Sequence, residues 1–258
     1  MLITKIFRLF QDFFEVSWIR TLLYNFSNLP FRQAIHCPIL LYSPHMNEIS
    51  YILHGRKSGG VIINIQKVRF GMIKLGKKSE NTCTQKGIWL YNEGTIIFKG
   101  STLIGNGCKI EIKQGAQLSI GENTGMTGCT TINCYDKITL GKFFSCAWDV
   151  SISDTDFHEC YHIMEDGKRK EKAVTSSITI GDYVWICKGV TILKGTNLPD
   201  WCTVGANSLV TSHIKASPYD LIAGIPANNT GRKIQRKDLS LLATNPNFII
   251  TKGLRVFG

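Results

Sequence analysis

The run Ser153-Asp154-Thr155-Asp156-Phe157-His158 places an imidazole a short step from two carboxylates. A histidine titrates near neutral pH and can take a proton from a weak acid such as a hydroxyl. Asp156 or Asp154 could orient the ring or balance its cation. On residue type alone, a surface-loop histidine with no role competes with the general base. What decides is the scaffold that holds the run.

That scaffold is written in a period of six. Ile180, Ile186, Ile192, Leu198, Val204 and Val210 are aliphatic at every sixth position, often followed by small or turn-forming residues, as in Val204-Gly205-Ala206-Asn207. A helix repeats near 3.6 and a flat strand near 2, so neither fits. Six-residue turns of a parallel β-helix do fit, with each sixth side chain pointing into a narrow shared core. Weaker stretches of the pattern run from Val61 through Ile104, Ile120, Ile132 and Leu140 to Ile152. The pattern breaks over 154–177, so His158 stands where a regular coil gives way to a loop. Loops on a rigid scaffold are where reactive groups concentrate.

Three segments follow. Residues 1–60 are expected to hold an N-terminal helix over 1–27 and an extended lead-in containing Pro30, Pro38 and Pro44. Residues 61–211 form the β-helix, with the candidate active-site loop at 154–177 and a polar loop at 77–87. Residues 212–258 form a closing tail of weak helical character. In the first segment Ile3, Ile6, Phe7, Phe10, Phe13, Phe14, Trp18 and Leu22 share one broad face. Two readings stand: a cap on the end of the solenoid, or peripheral association with a membrane surface.

The 258 residues suffice for one solenoid with a sizeable core. The net charge of +11 favours anionic partners. Basic residues cluster only at 168–170 and at Arg232-Lys233 with Arg236-Lys237, and no nucleic-acid motif accompanies them, so nucleic acid is not an expected partner. Nine cysteines, an odd count without a CxxC pair, indicate neither a zinc site nor a disulfide framework. With no signal-peptide pattern and no run of eighteen apolar residues, a reducing, cytoplasmic location is expected, with the inner face of the membrane as a variant of it.

The string Trp148 to His158, WDVSISDTDFH, resembles the signature of the hexapeptide-repeat O-acetyltransferases. The stretch Ile178 to Gly195, the run Val204 to Thr211, and Ala223-Gly-Ile-Pro-Ala227 resemble the same family, as does Trp18 to Pro38. The most similar branch is that of the capsular or surface polysaccharide acetyltransferases, relatives of the maltose and galactoside enzymes. The resemblance implies an all-β fold, a left-handed parallel β-helix, assembled as a homotrimer. It implies acetyl-CoA as co-substrate, no metal, and a glycan or sugar acceptor held between subunits. His158 falls at the catalytic position. Trp185, Lys188, Ala206 and Thr211 fall where relatives line CoA. Ser212 stands where a lysine is common and Asn228 where a basic residue is common; Lys215, Arg232 or Lys233 could meet the CoA phosphates instead. Thr127 replaces an acceptor-contacting asparagine of some relatives. Trp148 could stack on a sugar ring, with Asn133 and Asp136 as further acceptor-side candidates. The leading expectation is transfer of acetyl from acetyl-CoA to a sugar hydroxyl of a surface polysaccharide or its precursor. N-acetylation of an amino sugar and a non-catalytic β-helix scaffold are the alternatives.

Overall fold

The computed structural model describes residues 13–42, 59–78, 83 and 87–238. The apolar positions Ile3 to Phe10 of the expected helix, Pro44, most of the 77–87 loop and the tail beyond 238 lie outside the described residues.

The chain coils through three parallel sheets that form the faces of a prism. Face A has nine strands, running from Ile39–Leu41 at one end to Ala227–Lys233 at the other. Faces B and C have six strands each. One coil shows the order: Lys137–Leu140 on face C, Ser145–Cys146 on face A, Ser151–Ser153 on face B. The six aliphatics of the sequence period fall in turn on successive faces, Ile180 on C, Ile186 on A, Ile192 on B, and again Leu198, Val204 and Val210. All are buried. Each stacks on its counterpart one coil away: Ile180 on Leu198, Ile186 on Val204, Ile192 on Val210. The core is thus a set of aliphatic columns, and the fold is the parallel β-helix the repeat predicts.

Successive coils approach so closely at the corners that side chains are excluded. A Cβ on Gly141 would lie 2.3 Å from the Gly181 carbonyl oxygen, and one on Gly121 would lie 2.3 Å from the Gly141 carbonyl carbon. Between faces C and A, Phe143, Tyr183, Trp201 and Tyr219 all have positive φ and stack ring on ring, with centroids 4.1–5.6 Å apart. Several cysteines serve as small core residues; burial pushes the Cys146 thiol up to about 12, which keeps it neutral. Cys83 and Cys129, however, form a disulfide, where the odd count without a CxxC pair indicated no disulfide framework. The two lie on separate coils, so linear spacing carried no signal of the pairing.

The N-terminal region departs from one continuous helix. Residues 13–15 are helical, then Val16 leaves the helix to bridge Tyr42. Helix α1, Trp18–Asn28, follows, then the short α2, Phe31–Ala34, and the strand Ile39–Leu41. The lead-in segment therefore includes a helix and the first strand of face A. Among the described residues that strand pairs in a ladder on one side, with Ile73–Lys77, and on its other edge the Ser17 N–H donates to the Leu41 carbonyl at 2.8 Å, leaving further groups that need partners. α1 supplies them from polar side chains. Asn25 donates to the Ile39 carbonyl at 2.7 Å and accepts from the Ile39 N–H at 3.2 Å; Thr21 accepts from the Leu41 N–H at 3.0 Å. Thr21 and Asn25 are fully buried.

At the other end the chain after Val210 returns to face A as two antiparallel strands, Asp220–Gly224 and Ala227–Lys233, joined across a cis Ile225–Pro226 bond. Helical character begins only at residue 237.

Replacing Asn25 with Leu would leave the Ile39 N–H and C=O buried without partners, at about 1–3 kcal/mol for each orphaned group. The expected outcome is a lower denaturation midpoint by circular dichroism. An unchanged midpoint would show that the helix does not hold this edge.

Candidate active site

The site is built where the face-B strand Ser151–Ser153 ends. The main chain continues the ladder one step, with the Asp154 N–H donating to the Asn133 carbonyl at 3.2 Å, and then leaves the coil. It returns at Ser176, whose N–H donates to the Asp154 carbonyl at 2.9 Å, so the loop closes at its base. Between these points it forms an antiparallel hairpin, Cys160–Ile163 with Arg169–Lys172, that stands clear of the coil.

Asp154 is fully buried at this base. Its carboxylate accepts from the Tyr135 N–H at 2.7 Å and the Asp136 N–H at 3.0 Å, two successive amides on the coil below. Burial pushes the carboxyl up from its ordinary value, and the two amide donors pull against that. Asp156 faces two ammonium groups, Lys172 at 2.6 Å and Lys194 at 2.7 Å. Hydrogen bonds from these lysines hold its carboxyl below the usual carboxylate range. Lys194 also donates to the carbonyls of Ala173 and Val174, tying the returning limb to the coil above. Both aspartates therefore fix the loop, and neither hydrogen-bonds His158 among the described contacts. Phe157, at φ +63, packs edge-on to Tyr135 with centroids 5.4 Å apart. His158 follows directly, solvent-exposed, on a backbone pinned immediately before it.

The other expected residues fall into separate groups. At the corner between faces A and B, Cys146, Ile186 and Val204 stack in register, which places Trp148, Lys188 and Ala206 one above another. The Lys188 ammonium lies 6.0 Å from the center of the Trp148 ring. Thr127 sits at the same corner, donating to the Cys146 carbonyl at 3.0 Å. At the corner between faces B and C, with the loop base, lie Thr211, Ser212 and Asp136, which accepts from the Ser177 hydroxyl at 2.6 Å. Asn133 lies on face B in register with Ser153. Lys215 is exposed beyond the last face-B strand. Asn228 and Arg232 are exposed on the terminal hairpin, where Lys233 pairs with Asp220 at 2.8 Å. Trp185 is half-buried on face A.

One chain thus brings Trp148, Lys188 and Ala206 together and keeps them across face B from the loop base that carries His158. The intervening strand alone spans about 10 Å at 3.3 Å per residue. Two residues emerge that sequence reasoning missed. Lys194 locks the loop through Asp156. Arg236 lays its guanidinium 5.2 Å from the Trp185 ring center, donates to the Ser145 hydroxyl at 2.8 Å and pairs with Asp238. Among the described residues no cluster of three or more His, Cys, Asp or Glu is arranged to hold a metal.

No protein-family model matches the chain. It is 27% identical over 147 residues to a putative lipopolysaccharide biosynthesis O-acetyl transferase, WbbJ, of Escherichia coli K12, covering 54% of this chain and 72% of that one. It is 31% identical over 112 residues to the galactoside O-acetyltransferase of the same organism, covering 43% of this chain and 52% of the relative. A solved structure of the polySia-specific acetyltransferase NeuO aligns with a TM-score of 0.49 at 21% identity, over 70% of this chain and 68% of that one. The curated relatives it resembles are O-acetyltransferases, matched over about half of this chain.

The Asp156 cluster has a defined pH signature. A depressed carboxyl contributes stability that is fully present above its unfolded value, about 3.9, and is lost as pH falls through the folded value. Asp156→Asn is expected to melt below the wild type at pH 6–7. The gap is expected to narrow as the pH is lowered below about 3.9, followed by scanning calorimetry. A gap independent of pH would remove the ion pairs from this role.

Proposed function

We propose that the protein transfers an acetyl group from acetyl-CoA to a hydroxyl of a surface polysaccharide or its sugar precursor. The observation that carries the reading is the placement of His158: an exposed imidazole on a loop whose base is fixed by Asp154, Asp156 and Lys194. A scaffold has no use for such anchoring of one exposed histidine. The O-acetyltransferases among the relatives support the acceptor class, and the net charge of +11 suits the phosphates of CoA.

The chemistry is direct. The imidazole takes the proton of the sugar hydroxyl as its oxygen attacks the thioester carbonyl. A C–O bond forms, the tetrahedral oxyanion collapses and the C–S bond breaks. The CoA thiolate leaves and takes the proton back from the imidazolium. A sugar hydroxyl is a weak nucleophile, so base catalysis and alignment supply most of the rate.

The separation of His158 from the Trp148–Lys188–Ala206 column supports a site shared between copies. In the proposed homotrimer, face B of one subunit would meet the loop of the next. The column offers an aromatic surface and a cation for the pantetheine and phosphate portions of CoA. Acetyl-CoA supply favours a cytoplasmic location for the reaction.

His158→Ala is expected to lower kcat by on the order of 10²–10⁴, the usual worth of a positioned base, with CoA affinity by calorimetry unchanged. Near-normal kcat with a working glycan acceptor would refute the mechanism. Loss of CoA affinity together with activity would reassign the loop to structure.

A further inference from the structure

Helix α1 is amphipathic the wrong way round for a cap. Its polar residues Thr21 and Asn25 are buried against the first strand, while Ile19, Leu22, Leu23 and Phe26 point outward. Ile19 is 71% exposed. The cause is the edge strand: its free N–H and C=O groups demand polar partners, which turns the apolar side of the helix to the outside.

The apolar surface continues past the helix. The Phe26 ring meets Phe31, which is 72% exposed, at 6.2 Å. At the other end Trp18 touches Phe13 at 4.8 Å and stacks with Phe70 at 6.3 Å; both phenylalanines are exposed. So broad a connected patch marks an interaction surface rather than scattered surface hydrophobes.

Its rim is mostly basic, with Glu15 beside Phe13 and Glu122 near Lys67 and Arg69 as acidic exceptions. Neither the segment Val16 to Tyr42 nor the segment Gly59 to Lys78 contains an Asp or Glu. Arg32, Lys67, Arg69 and Lys78 are exposed on them. Arg69 adjoins Phe70, so cations and aromatic rings share the same end of the coil. A flat apolar face bordered by cations is the pattern of a helix lying in the headgroup region of an anionic bilayer. Among the described residues no helix is long and apolar enough to cross a membrane, so the contact would be interfacial.

We propose that this end of the coil, α1 with Phe31 and Phe70, docks on an anionic lipid surface, with Arg32, Lys67 and Arg69 over the headgroups. The binding depends on the orientation of α1 and not on the acetyltransferase reading. Docked this way, the coil would bring its active-site loops to acceptors held at the membrane.

The test uses the full chain and sedimentation with two vesicle types, pure phosphatidylcholine and a mixture with phosphatidylglycerol. Strong binding to the anionic vesicles, weakening as salt is raised, is expected. Leu23→Ser with Phe26→Ser is expected to weaken it at least tenfold, and Arg32→Glu with Arg69→Glu to abolish the preference for anionic lipid. Because these side chains point outward, the melting temperature should hold. Absent or composition-blind vesicle binding would overturn the proposal. So would a large fall in melting temperature in the serine variant, which would show the face covered by the chain itself. A change in oligomeric state in that variant, with vesicle binding intact, would assign the face to a second copy. His158→Ala is expected to bind vesicles like the wild type, so failure of the catalytic reading and failure of this one are separable.

Discussion

Six residues per face is the constraint on which everything else rests. Each coil must return to the same rung, because Ile180, Ile186 and Ile192 fill their columns only if Leu198, Val204 and Val210 arrive directly above them. Backbone hydrogen bonds then run between coils at every step, and a side chain at a corner glycine such as Gly141 would collide with the next coil. A chain so tightly stacked can depart from its path only at corners, and only where it can come back to the rung it left.

The loop that carries His158 obeys that rule. It leaves after Ser153 and returns at Ser176 on the two sides of Asp154, whose buried carboxylate binds amides of the coil below while its main chain serves both limbs. Asp156 and Lys194 then tie the returning limb to the coil above. The mobile-looking element is held at three levels of the stack. The exposed histidine therefore emerges from a fixed origin, and preorganisation of this kind is what a general base needs. The same stacking puts Trp148, Lys188 and Ala206 in one corner column. It also keeps that column and the loop base on opposite borders of face B, a separation that a neighbouring subunit would bridge in the proposed trimer.

The coil was legible in the sequence because its rule is local: a sixth-residue period needs no knowledge of distant partners. His158 stood out as a candidate for the same reason, lying in a contiguous motif at the point where the period stops. The contacts that fix it were not. Lys194 reaches Asp156, and Arg236 reaches Trp185, across separations that only the completed stack brings together. The aspartates beside His158 read naturally as its partners, yet other groups hold them, two amides of the coil for one, and a loop lysine and a coil lysine for the other. The disulfide escaped for a similar reason, since Cys83 meets Cys129 only by reaching past Asn106 of the coil between them. The N-terminal helix shows a different limit. Amphipathic spacing announces two faces but not which one turns inward; the unpaired edge of Ile39–Leu41 made that choice.

The shared site is the claim that binds these parts together, and subunit mixing tests it most directly. Chains carrying His158→Ala are refolded with chains carrying Trp148→Ala and Lys188→Glu, each variant inactive alone, and acetyl transfer is measured. In a closed ring that pairs a loop from one subunit with a column from the next, random mixing restores about a quarter of the sites. Recovery of activity near that level is the expected result. A mixture no more active than its separate components would place the whole site within one chain and contradict the arrangement.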